Sequence, residues 1–442
     1  MKLRQAVASL LALVLSALPL AAAGAVDIKE VTTPLGIKAW LVEDKSVPVV
    51  TMSFAFDGGS ASDPEGQKGV TSLMATLLTD GAGALPAPAF KQRSEDNEVW
   101  IGFGASVDRV SGTLRVLSAS RDEGFELLRL ALTEPRFDDD MIEQRRAQAI
   151  SSLDQSEQRP GAVATRALMG AMFAGHPYAT ETSGLRDSLK TLTAAEIKAR
   201  AATLLSRTGL IVAAVGDIGE AEFARQLDRV FGGLPAGPAQ PELPDWTPPA
   251  GGRSIAIERP VPQSTLQIAM PGVSRNDPDW YAAFVMNHIL GGGGLTSRLA
   301  AEVREKRGLA YGVSSGLRNY RKASLLVIST ATANEKVADT LRVIRAEVAR
   351  LRTDGVTEQE LADAKTYLIG ALPVSLDSSA TIAALLYSMQ VDGLPRDYLA
   401  KRAKLLGAVT AADVRRAARR LLRDDVAFTV VVGKPVGLPI EP

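Results

Sequence analysis

The chain has 442 residues, enough for two or three domains, and its 46% apolar content is that of a globular protein rather than a disordered one. Fifty basic and fifty acidic side chains cancel, so it carries no electrostatic footprint for nucleic acid or an anionic membrane surface. There is no cysteine, which excludes disulfides, thiolate metal ligands and a lipidated mature start.

Lys2 and Arg4 precede an apolar run over residues 6–20, and Ala23, Gly24 and Ala25 place small residues where a signal peptidase reads. Residues 1–25 therefore read as a cleaved signal peptide, predicting a periplasmic or secreted chain. No later segment is apolar enough to span a bilayer.

From Asp27 on, strand-like and helix-like pieces alternate, and they do so twice. Residues 49–56, followed by Gly58 and Asp63-Pro64, resemble residues 265–270, followed by Gly272 and Asp277-Pro278, at an offset of 277 − 63 = 214. A second pair of anchors closes each half: Thr193 ahead of a strand ending at Gly216, and Thr410 ahead of a strand ending at Gly433, offset 410 − 193 = 217. Each threonine reads as a helix N-cap. Two anchors agreeing within three residues predict a duplicated domain. Between the copies, residues 232–252 hold prolines at 235, 238, 241, 244, 248 and 249, which suit a semi-rigid spacer. The expected plan is a domain over 26–231, a linker over 232–252 and a domain over 253–442. The expected fold class is α+β: two tandem homologous α/β sandwiches, helices packed on a largely antiparallel sheet in each.

The most informative stretch is residues 291–315. Gly291, Gly292, Gly293 and Gly294 give a backbone free to take positive φ and to let another chain come close. A helix capped by Thr296 or Ser297 follows, with Leu299 and Val303 on one side, Glu302 four before Lys306, and Gly308 ending it. Leu309, Tyr311 and Val313 then alternate with Ala310, Gly312 and Ser314 as in a strand. Arg304 falls in the last helical turn and Tyr311 at the strand start. No lysine followed by Ser or Thr comes after the glycines, so this is not a phosphate-binding loop. The nucleophile-elbow pattern from Gly312 to Gly316 lacks a later histidine, because His176 and His288 both precede it.

A duplicated α+β domain with a Pro-rich linker, GGGGLTSRL and REKRGLAY resembles the pitrilysin and insulinase-type peptidases, including mitochondrial processing peptidase, over essentially the whole mature chain. The resemblance implies clam-like halves around a chamber, where extended peptides add to a sheet edge and are cut by zinc. In that family an inverted His-x-x-Glu-His motif on a helix of the first half holds the metal, with a further Glu about 75 residues on. Here the corresponding helix, residues 69–80, carries Ser72, Ala75 and Thr76 at the motif positions, and the later ligand falls near Ser152. None of the four can serve as an imidazole or carboxylate ligand. His176 and His288 lie 288 − 176 = 112 residues apart; the first reads as a structural turn residue and the second as a packed or capping side chain. The second-half element survives, since Arg304 and Tyr311 keep the spacing of the family pair that holds the scissile peptide, 311 − 304 = 7. The resemblance therefore implies a zinc-free subunit, without cofactor of its own, that pairs with a zinc-bearing homologous subunit and contributes substrate binding and carbonyl stabilisation through Arg304 and Tyr311, with the four glycines beside the peptide. The alternative is an inactive homologue acting as a structural or peptide-binding protein.

Overall fold

The computed structural model describes residues 27–238 and 240–437, so the expected signal peptide lies outside the described residues. The first half contributes β1 (Lys29–Thr32), β2 (Lys38–Glu43), β3 (Val49–Asp57), the two-residue ladder β4 (Gly81–Ala82) and β5 (Leu85–Pro86), β6 (Trp100–Ala105), β7 (Arg109–Leu117) and β8 (Ile211–Gly216). The second half contributes β9 (Arg253–Glu258), β10 (Gln263–Pro271), β11 (Ala310–Asn319), β12 (Ser324–Ala333) and β13 (Phe428–Gly433).

One sheet runs β1-β2-β8-β3-β7-β6 and the other, read from its far edge, β9-β13-β10-β12-β11. Apart from β1 the two orders correspond strand for strand. Each sheet also has its parallel pair in the same place, β2 with β8 and β9 with β13, while its other pairs are antiparallel. The duplication read from the sequence is thus a duplication of topology, and the fold is α+β as expected.

The repeat anchors have local reasons. Thr193 and Thr410 each close a capping box, with Glu196 and Asp413, at the start of the helices Ala194–Leu204 and Ala411–Leu421. Gly216 and Gly433 end the following strands where a neighbour comes very close. A Cβ there would stand 2.0 Å from the Val49 carbonyl oxygen and 2.2 Å from Ser264 Oγ, respectively.

The arrangement of layers differs from two self-contained sandwiches. Each half has its own core, including Phe54, Phe56 and Phe231 in the first and Leu266, Leu326 and Ile344 in the second. The other face of each sheet, however, is covered by a helix from the opposite half. Helix Pro160–Met172 lies on β10 and β13, placing Val163, Ala164 and Leu168 against Ala269, Val430 and Val432. Helix Ser379–Val391 lies on β8 and β3, placing Leu386 and Met389 against Ala213 and Val215. The two helices start 379 − 160 = 219 residues apart, so they are the same repeat element exchanged in both directions. The cause is visible in the strands: residues 49–56 and all of β13 are buried on both faces, and a sheet apolar on both sides needs two covers.

The Pro-rich segment has no helix or strand among its described residues, yet it is pinned along its length. His176 Nε2 lies 2.9 Å from the Pro244 carbonyl oxygen, Trp246 Nε1 donates to the Met172 carbonyl at 3.0 Å, and Asp245 pairs with Lys322 at 2.9 Å. Trp246 also packs on Phe173, 5.2 Å between ring centroids. The spacer is therefore part of the packing between the halves. No helix among the described residues is long and apolar enough to cross a membrane.

Candidate functional site

β11 pairs only with β12, which leaves its outer edge open. The chain reaches that edge through a π-helical segment His288–Gly292, a 3-10 turn Gly294–Thr296 and a second π-helical segment Ala300–Glu305. The ordinary α-helix expected from the sequence is thus replaced by widened turns. The Gly293 N–H donates to the His288 carbonyl at 2.8 Å and the Lys306 N–H to the Ala301 carbonyl at 3.0 Å, each five residues back. Such widening keeps Leu299 and Val303 fully buried while the backbone at Gly291 abuts β11. A Cβ at Gly291 would lie 2.7 Å from the Ser315 nitrogen, one at Gly292 2.7 Å from Asn287 Nδ2, and one at Gly293 2.9 Å from the His288 carbonyl oxygen. Three of the four glycines therefore have neighbours within the chain itself. Gly294 takes φ +61° with open space around it.

Glu302 collects the local cations. Lys306 Nζ stands 2.6 Å from it and Arg307 also bonds its carboxylate, and these donors hold its carboxyl below the usual range. Arg304 is left with an aromatic partner: its guanidinium carbon lies 5.0 Å from the centroid of the Tyr311 ring. No carboxylate among the described residues pairs with it.

Tyr311 itself sits on a bulge. The β11–β12 register shifts between Ala310 and Val313, so Tyr311 and Gly312 leave the ladder. The carbonyls on either side are taken by buried hydroxyls of the neighbouring strand, Thr332 Oγ1 to Leu309 at 2.5 Å and Thr330 Oγ1 to Gly312 at 2.7 Å. The simple alternation expected from the sequence put Tyr311 and Val313 on one face. Instead the bulge turns Tyr311 outward, 86% exposed, and buries Val313.

In the first half, the helix read as the counterpart of the family's zinc-motif helix spans Val70–Leu77, shorter than the expected 69–80: Gly69, at φ +102°, stands before its start, and residues 78–80 turn out of it. Ala75 is buried, Ser72 half-buried, and Thr76 exposed with its hydroxyl donating to the Leu73 carbonyl at 2.8 Å. The helix packs on Asp139–Gln158, where exposed Ser152 shares a shallow groove with Gln144, Gln148, Ser151 and Gln155. Hydroxyls, amides and a methyl make a poor donor set for zinc, so these positions do not fit the metal. Among the described residues no cluster of three or more His, Asp or Glu side chains could hold one.

Both histidines have partners of the kind expected. His176 Nδ1 accepts from the Tyr178 N–H at 3.2 Å, leaving Nε2–H to donate to Pro244, so it is the neutral Nε2–H tautomer and caps a turn. His288 stacks on Tyr367, 5.0 Å between ring centroids, and burial pushes its imidazole down.

One element was not singled out from the sequence. Arg298, in the SRL triplet, bonds Glu360 through Nε at 2.6 Å and Nη2 at 2.8 Å, and the Gly355 carbonyl at 3.0 Å, fastening the glycine segment to helix Glu358–Ser375. The guanidinium holds the Glu360 carboxyl down to about 2 from 4.5, with the Thr357 capping bonds adding to it and burial opposing. A depressed carboxylate stabilises the fold above its unfolded value and loses that contribution as pH falls through the folded one. Urea midpoints are therefore expected to fall between pH 4.5 and about 2, and Glu360→Gln should flatten that limb while lowering stability at pH 7.

Comparison with known proteins bears on the family and the fold. Residues 38–185 match the family model described as Insulinase (Peptidase family M16), and residues 191–368 the model described as Peptidase M16 inactive domain. The chain is 31% identical to the crystal structure of a peptidase M16 inactive domain from Pseudomonas fluorescens, with a TM-score of 0.87 over 94% of this chain and 100% of that one. It is 25% identical to the "Non-peptidase homolog YmxG" of Helicobacter pylori over 80% of this chain and 82% of that protein. It is 21% identical to the probable mitochondrial-processing peptidase subunit beta of Arabidopsis thaliana, over 92% of this chain and 78% of the relative. With the topology repeated in both halves, and the sequence match running from residue 38 to 368, this chain belongs to the M16, or insulinase, family of peptidases.

Proposed function

We propose that this chain is the zinc-free subunit of a two-chain M16 metallopeptidase of the periplasm, binding extended peptide and lending Arg304 and Tyr311 to a zinc-bearing homologous subunit. The observation that carries the reading is the state of that pair. A guanidinium and a phenol stack on each other at an open sheet edge with no carboxylate between them among the described residues, while Ser72, Ala75, Thr76 and Ser152, on our reading, stand at the family's metal-binding positions. An unpaired Arg and an exposed Tyr hydroxyl are donors suited to a carbonyl oxygen gaining charge. The partner's zinc would supply the activated water. Of the glycines, Gly294, with free space around it, is the one open to a bound backbone.

The exchanged helices support the need for a second chain. They tie the two halves together across both sheets, so a chamber that opens and closes fits better between two subunits than between these halves. The Arabidopsis relative bears the name of a subunit. The periplasmic setting rests on Lys2, Arg4 and the apolar run after them.

The deciding experiment is co-expression with a His-x-x-Glu-His relative from the same cell. Co-purification with chelator-sensitive peptide hydrolysis supports the reading, and failure to associate with any such relative removes it. The chain alone is expected to hold no stoichiometric zinc by elemental analysis and to cleave no peptide; one tightly bound zinc per chain would overturn the assignment. The second reading, a peptide-binding or structural homologue without a catalytic part, is favoured by the name of the Helicobacter relative. It would be shown by a complex fully active without the Arg/Tyr pair.

A further inference from the structure

A pocket of about 410 Å³ opens between the two halves, walled by the β6–β7 turn, the loop after β10, the β11–β12 turn and the end of the exchanged helix Ser379–Val391. It uses neither Arg304 nor Tyr311. Its charged groups fall into two sets, those already engaged and those left over.

Asp57 takes Arg321, and Asp108 accepts from the Tyr178 hydroxyl at 2.5 Å and the Arg321 N–H at 3.0 Å. Arg275 is 10% exposed, held over the rings of Trp280 at 4.9 Å and Tyr398 at 5.1 Å, and 3.7 Å from Asp392. Burial pushes the Asp392 carboxyl up, with Arg275 opposing, so the acid facing the pocket is weakened as an anion.

The left-over groups are donors. Arg109 is 17% exposed and shares Asp57 with Arg321 through a 3.6 Å ion pair from Nη1, but that nitrogen is buried and makes no hydrogen bond. Beside it the Tyr387 hydroxyl makes no hydrogen bond among the described residues, and burial pushes its phenol up while Arg109 opposes. Exposed Asn276 and Asn319 also line the pocket. A buried guanidinium with an unmatched donor favours an acceptor, and an oxyanion that bridges it to a phenol makes two charge-assisted hydrogen bonds.

We propose that this inter-half pocket binds a small ligand through a carboxylate or phosphate group seated between Arg109 and Tyr387. The proposal is independent of the peptidase reading, since neither Arg109 nor Tyr387 belongs to β11 or to the zinc-motif positions, and Asn319 alone, at the far end of β11, touches that strand.

The test is thermal unfolding and calorimetry of the full chain with sodium phosphate and, separately, sodium citrate, against sodium chloride of equal ionic strength. A saturable rise in Tm with one of them is expected, and the one that saturates tells phosphate from carboxylate. Tyr387→Phe keeps the ring and removes only the hydroxyl, and should weaken binding about 10-fold, as should Arg109→Gln, each losing a bond to a charged group. Because Arg109→Gln also removes a neighbour of Asp57 and could unfold the turn, Tyr387→Phe is the deciding variant. No saturable shift with either anion, or a shift of undiminished affinity in Tyr387→Phe, would overturn the proposal.

Discussion

Arg304→Ala or Tyr311→Phe in the two-chain complex is expected to cut peptide hydrolysis about 10²-fold or more, with assembly and zinc content unchanged. Losing one preorganised donor to a developing oxyanion has that size. The bulge held by Thr330 and Thr332 fixes the backbone at Tyr311, and the Arg304 guanidinium lies over its ring. The substitutions should cost little stability, since Tyr311 is 86% exposed and neither residue takes part in an ion pair among the described residues. Steady-state kinetics separates two versions of the role. A fall in kcat places the donors on the transition state, and a rise in KM alone places them on the bound peptide. Activity unchanged with both residues replaced would leave this chain a scaffold.

Much of this was legible in the sequence because the signals were local. Thr193 and Thr410 mark equivalent helix starts by capping chemistry, and Gly216 and Gly433 mark strand ends where a side chain would collide with the neighbouring strand. The absence of cysteine and the presence of only two histidines limited any zinc site before a fold was known. What could not be read was non-local. In the run from Val49 to Phe56, Val50, Met52, Phe54 and Phe56 mark one apolar face, but the small side chains between them, Thr51, Ser53 and Ala55, do not tell which helix covers the other. The exchange of Pro160–Met172 and Ser379–Val391 therefore appears only in three dimensions. The bulge at Tyr311 was hidden for a related reason. Its cause lies in Thr330 and Thr332 on the next strand, about twenty residues away along the chain, so period-two alternation gave the wrong face for Tyr311.

Arg200→Met is expected to destabilise the chain by about 3–5 kcal/mol, the usual cost of leaving a buried charge without its partner. Arg200 and Asp63 are 7% and 1% exposed and lie 3.4 Å apart. Arg200 also donates to Thr71 Oγ1 at 2.8 Å, to the Gly59 carbonyl at 3.0 Å and to Ser62 Oγ at 2.7 Å, while Asp63 accepts from the Gly69 N–H at 2.8 Å and from the Thr71 hydroxyl. The pair thus binds helix Ala194–Leu204 to the loop after β3 and to the start of Val70–Leu77. Burial pushes the Asp63 carboxyl up and the Arg200 guanidinium down; the bonds from Thr71 and Gly69 and then the Arg200 charge oppose this at Asp63, and the Asp63 charge opposes it at Arg200. Arg200→Met with Asp63→Asn should therefore cost less than the sum of the two single changes. The second half supplies a control, because Asp277, the repeat partner of Asp63, bonds Arg420 of helix Ala411–Leu421 at 2.7 Å with that arginine 48% exposed. Arg420→Ala is expected to cost under about 1 kcal/mol, as exposed pairs do. Urea unfolding of the two variants side by side checks the claim: equal effects would show that burial of the Asp63–Arg200 pair does not set its strength.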